Sequence, residues 1–158
     1  MQKKKKYLVL LLIVTLIVFI SFYRDYFFRT VNAMLLAWDY DMDYPMPAHL
    51  RFFESFDYDT VLNLKWLFTL VFAAIFYFIS RFTIQYLFNN KNYNRIVLLS
   101  FIGLAVISGL LMAIGWLMPS SLESMYEIAR FLMGLAQSPV VLMVLIPAFM
   151  LAEKEQIN

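Results

Sequence analysis

The sequence predicts an all-α integral membrane protein: a four-helix bundle with one acidic, aromatic loop that forms an interfacial helix. Three observations point there. The chain is 63% hydrophobic and only 15% charged over 158 residues, against about a quarter charged in ordinary soluble domains. Its mean hydropathy is +0.71, so the excess apolar surface needs lipid rather than water. Four runs are apolar and long enough to cross a hydrocarbon core about 30 Å thick, which takes roughly 20 helical residues.

The first run, residues 7–23, reads YLVLLLIVTLIVFISFY and follows the basic stretch Lys3 to Lys6. A cleavable signal peptide has this outline but ends in small residues. Here Phe22, Tyr23 and Arg24 close the run, so an uncleaved anchor is expected. The second run occupies 64–80, the third 96–118 and the fourth 131–152. In a bilayer the backbone must satisfy its own hydrogen bonds, which makes these runs helices. Trp66, Trp116, Tyr7, Tyr23 and Tyr77 stand near the expected ends, where amphipathic rings favour the headgroup zone. The four spans make a single membrane domain, 1–158.

Lysine and arginine set the expected orientation. Placing Lys3 to Lys6 in the cytoplasm leaves eight basic residues inside and five outside, with both termini cytoplasmic. The loop at about 24–63 then lies outside and carries seven acids: Asp25, Asp39, Asp41, Asp43, Glu54, Asp57 and Asp59. Within it, Phe27, Val31, Met34, Leu35 and Trp38 recur at helical spacing, which predicts a helix lying on the membrane surface.

Catalytic signatures are absent. No cysteine is present and there is one histidine, His49, which removes disulfides, thiol nucleophiles and His-based metal clusters. There is no HExxH, GxSxG or phosphate-binding glycine loop. Asp39, Asp41 and Asp43 alternate as in a calcium loop, but Tyr44 and Leu50 stand where that loop needs glycine and glutamate. These acids read as a solvated loop and a candidate surface for a partner. No metal, cofactor or nucleic acid is expected, the net charge being only +2.

In the third run, Ala105, Gly109 and Ala113 recur every four residues and form a small-residue stripe along which a helix can approach. In the fourth, Arg130, Gly134 and Gln137 share one helix face. Ser138 and Pro139 follow, and Pro139 deprives the Leu135 carbonyl of its helical donor, as Pro147 does to Met143. A Ser138-type hydroxyl can satisfy the freed carbonyl. This face and the three aspartates are the candidate contact residues.

ARFLMGLAQSPVVLMVLIPAF resembles the closing segment of small membrane proteins encoded beside exosortases, the exosortase F and exosortase X system-associated families. The matching positions are Arg130-Phe131-Leu132 and Leu145 to Phe149, with Lys3 to Lys6 and DYDMDYPMP matching in layout. Layout covers the whole chain; only the last span is specific. F-type members carry two adjacent arginines before that span, and Ala129 stands in one of those positions, which brings the X-type nearer. Exosortases use cysteine, arginine and histidine, so a chain without cysteine is not the enzyme. The resemblance implies a non-catalytic accessory protein of the bacterial inner membrane that contacts an exosortase or its substrates.

Two other functions fit the layout. A homo-oligomeric transporter or channel is one; coupled transporters carry an ionisable residue deep in a span, and no Asp, Glu, Lys or His lies deep in these four. An intramembrane enzyme using the loop carboxylates is the other.

Overall fold

The computed structural model describes residues 2–157, excepting the side chains of residues 2–4, 119, 156 and 157. Lys3, Lys4 and their part in the basic run therefore lie outside the described side chains. Among the described residues there are five α-helices and two short 3-10 helices, and no strand.

Helix α1, Gln2–Asp39, has 38 residues and at 1.5 Å per residue is about 57 Å long. It runs through Tyr23, where the first span was expected to end, because no glycine or proline interrupts it. The expected interfacial helix is thus a continuation of the first span. Its apolar face is also not offered to lipid. Val31 and Met34 are fully buried, and with Phe27 and Leu35 they pack against Met46, Leu50 and Phe53 of the following loop and against Val61 and Phe72. Helical spacing revealed an apolar face without saying what covers it.

The loop contracts from the expected 24–63 to residues 40–57. It leaves α1 through Asp41 in a left-handed conformation, φ 55°, with the Tyr40 and Met42 amides donating to the Ala37 carbonyl. Glu54 accepts from the Met46 amide at 2.9 Å, and Arg51–Ser55 forms a 3-10 turn. These bonds fold the aromatic segment back over α1.

Helix α2, Tyr58–Phe88, is capped by Asp57, whose carboxylate accepts from the Thr60 amide and hydroxyl. The Thr60 hydroxyl holds Asp57 below the usual carboxylate range. Asn89, left-handed at φ 49°, ends α2. Asn90 caps α3, Lys91–Leu117, by accepting from the Asn92 amide at 2.9 Å. Residues 82–88 continue α2.

A 3-10 turn, Pro119–Ser121, leads into α4, Leu122–Ala136. Helices α3 and α4 approach closely at Gly115, where an added Cβ would meet Met125 Cβ at 3.1 Å and Leu122 Cδ1 at 3.2 Å.

The expected fourth span, 131–152, is broken. Helix α4 stops at Ala136 and α5, Val140–Ile157, departs at 61°. The cause is local. Pro139 cannot donate to the Leu135 carbonyl, which instead accepts from the Ser138 amide at 3.2 Å and the Ser138 hydroxyl at 2.9 Å. The same hydroxyl accepts from the Val140 amide, starting α5. Pro147 sits inside α5. Helices α1, α2 and α3 are each long and apolar enough to cross a membrane, and α4 with α5 meets that test as a bent pair.

A second core lies toward the α2–α3 turn. Ile13, Ile17, Phe76, Ile84, Val97 and Phe101 pack there with Ala136 and Phe149, and the Tyr93 and Phe149 rings stack 4.1 Å apart. Outward, Leu11, Phe19, Phe22, Leu110 and Met143 are exposed, a surface suited to a lipid solvent.

Candidate functional site

Four helix faces meet at a cleft of about 440 Å³. The spacing on each is that of one helix side: Arg24, Phe28 and Asn32 on α1; Lys65 and Thr69 on α2; Ala105, Ser108 and Met112 on α3; and Tyr126, Arg130 and Gly134 on α4, with Gln137 just beyond.

The charge is one-sided. Arg24, Arg29, Lys65 and Arg130 line the cleft against a single carboxylate, Asp25. Asp25 is taken by Arg24, and this is the one ion pair among the described residues. Arg29, Lys65 and Arg130 therefore have no carboxylate partner there. Glu127, one turn before Arg130, faces an adjoining hollow bordered by Arg24 and Arg130.

Arg24 ties the walls together. Its Nε donates to Gln137 Oε1 at 3.4 Å, joining α1 to the end of α4, and its guanidinium lies 5.6 Å from the Phe28 ring centroid, within cation–π range. Gly134 borders it: a Cβ there would make ordinary contact with Arg24 Nη2 at 3.9 Å. Gln137 is only 4% exposed. Its carbonyl oxygen is engaged, whereas its amide nitrogen makes no hydrogen bond among the described residues. Ser108 and Thr69 donate to their own helices, to Leu104 and Lys65 carbonyls. The free donors are thus the cations, the Gln137 amide, Asn32 and Tyr126, which is the chemistry of holding an anion.

Of the residues singled out from sequence, Arg130, Gly134 and Gln137 come together on one wall. Ser138 and Pro139 form the helix break next to it. Ala105 and Gly109 border the cleft, and Ala113 does not. A Cβ on Gly109 would meet nothing within 4 Å, so the close helix approach falls at Gly115. Asp39, at the end of α1, and Asp41 and Asp43, on the loop, are exposed and away from the cleft lining. No three His, Asp or Glu side chains among the described residues are grouped to hold a metal ion. His49 stacks on Tyr26, ring centroids 5.7 Å apart.

Sequence reasoning did not single out Arg24, Arg29, Asn32 or Lys65. Arg24 closes the first apolar run, and its relation to Phe28 and Asn32 at steps of four is the signal in the sequence. Lys65, in the first turn of an apolar run, is another. Comparison with protein-family models, curated proteins and solved structures finds no match to this chain.

Proposed function

We propose that this chain is a non-catalytic accessory protein of the bacterial inner membrane, working beside an exosortase-type sorting enzyme. Its contacts run through the cleft wall of Arg24, Arg130 and Gln137 and through the acidic loop. One observation carries the reading: the polar face of the last span, which bears the resemblance to exosortase-associated proteins, lines a basic cleft with three cations lacking a carboxylate partner. A lining of cations, amide and hydroxyls binds; it does not pair a nucleophile with a base. With both termini cytoplasmic, as the lysine and arginine distribution favours, loop and cleft face the outer side, where surface proteins are processed.

Affinity purification of the tagged chain from gently solubilised native membranes tests the proposal. An exosortase should accompany it at near-stoichiometric yield, and Arg130→Ala with Gln137→Ala should lower that yield together with substrate processing. Recovery of this chain alone, as a defined oligomer, would overturn the reading in favour of the homo-oligomeric transporter.

A further inference from the structure

We infer that the cleft binds the phosphate headgroup of a membrane lipid, drawn from the leaflet on the side of the α1–α2 loop. The inference rests on the reading of the cleft as this protein's working surface, and it names the class of ligand.

Depth comes first. From Lys6 to Arg24, α1 rises about 27 Å at 1.5 Å per residue, close to the thickness of the hydrocarbon core. With Lys5 and Lys6 at one interface, Arg24 stands at the other, at the level of lipid phosphates. Lys65 and Arg130 line the same cleft.

Charge comes second. Three cations without a carboxylate partner line one cleft, Lys65 half-buried and Arg29 and Arg130 exposed, and like charges gathered in this way favour the entry of an anion. Basic pockets between membrane helices bind lipid headgroups for this reason. Arginine presents a planar fork to phosphate oxygens, and the unpartnered amide nitrogen of the nearly buried Gln137 adds a directed donor. This number of donors exceeds what the two oxygens of a carboxylate accept, and it suits a phosphate.

Shape comes third. Phe28, Met112 and Met133 give the cleft apolar walls. Trp66 and Leu70 form one edge and are 43% and 58% exposed, so that edge opens onto the apolar outer surface of the bundle. Acyl chains leaving by this edge stay in lipid while the headgroup stays among the cations. A soluble anion would have no use for this edge. The volume, about 440 Å³, accommodates a headgroup and leaves the chains outside.

The test uses the purified full-length chain in a non-ionic detergent, with native mass spectrometry and thermal unfolding as readouts. The probes are phosphatidic acid, phosphatidylcholine (whose choline offsets the phosphate charge) and inorganic phosphate. Phosphatidic acid should bind at least tenfold more tightly than phosphatidylcholine and raise the unfolding temperature. Lys65→Gln and Arg130→Gln should each weaken it roughly tenfold or more, the scale of one charge-assisted hydrogen bond. Lys91→Gln, at the opposite end of the bundle, should leave it unchanged. Gly109→Leu guards against a folding artefact, because Gly109 lines the cleft and a Cβ there meets nothing within 4 Å; it should fold normally and exclude the lipid. Equal binding of phosphatidylcholine, or equal losses in the Lys91 and Arg130 variants, would overturn the proposal. So would inorganic phosphate competing as tightly as the lipid, which would mark a site for a soluble anion. Lipid binding by the isolated chain stands or falls separately from co-purification of an exosortase, so the two proposals fail in different experiments.

Discussion

Beyond Tyr23, helix α1 carries two faces with different fates. Phe27, Val31, Met34 and Leu35 are sealed by Met46, Leu50 and Phe53 of the loop that follows together with Val61 and Phe72 of α2. Arg24, Phe28, Arg29 and Asn32 instead look into a cleft left open. Apolar surface beyond the hydrocarbon core needs cover, and the chain supplies it from its own next segment. Basic surface is solvated by water or headgroups and needs no cover from protein. The difference separates a face whose role is stability from one kept accessible for a ligand.

The largest expected effect tests the sealed face. Phe53 is fully buried, with its ring centroid 5.9 Å from Phe27 and 6.1 Å from Phe68. Phe53→Ala should cost about 3–5 kcal/mol, seen as a lower unfolding temperature in detergent and faster proteolysis within residues 40–57. Phe52→Ala, at a half-exposed neighbour, should do far less. Equal effects from the two would dissolve the distinction between sealed and open faces.

Glycines on α3 sharpen the comparison on the cleft's other side. Gly115→Ala must displace Met125 or Leu122 and should destabilise by about 1–3 kcal/mol. At Gly103 an added Cβ meets nothing within 4 Å, so Gly103→Ala should be neutral or stabilising by up to about 1 kcal/mol through helix propensity. Thermal unfolding of the pair measures the contrast.

Smaller still is Ser138→Ala. It removes a hydroxyl that serves both α4 and α5, while the Ser138 amide keeps its bond to Leu135. A loss of about 1 kcal/mol is expected, along with weaker lipid binding if the α4 terminus shifts Gln137.

The smallest effect is at Asp57, an exposed cap at the foot of the sealed face. Its folded value lies below the ordinary 3.8. The sign follows: the charged cap stabilises fully above that ordinary value, and the benefit is lost as pH falls through the lower folded one. The gap in unfolding temperature between wild type and Asp57→Ala should be constant from pH 7 to 5 and shrink below about pH 4.

Much of the architecture could be read from the residues. The apolar runs locate the three helices long and apolar enough to cross a membrane and the bent pair that follows them, and Arg130, Gly134 and Gln137 are legible as one face because helical spacing is local. What escaped was tertiary. Nothing local marks Arg24 as the side chain that bridges to Gln137, 113 positions away. The spacing of Phe27, Val31 and Met34 describes an apolar face equally well for lipid or for a folded-back loop. Pro139 and Pro147 remove the same donor, yet only the first lies at a break, where Ser138 supplies a hydroxyl to each side. The cleft itself belongs to four helices at once, and no single segment encodes it.

Helix α1 is nearly twice as long as the hydrocarbon core is thick, and it continues unbroken from the amino-terminal lysines past the cleft. The height of Arg24 above the opposite interface is therefore set by a rigid rod rather than by the lipids around it. A thicker bilayer draws the cations toward acyl chains, and a thinner one lifts them into water, unless the bundle tilts to compensate. Membrane thickness thus becomes a control on how avidly the cleft holds an anion, and vesicles of graded chain length would act on it as a dial.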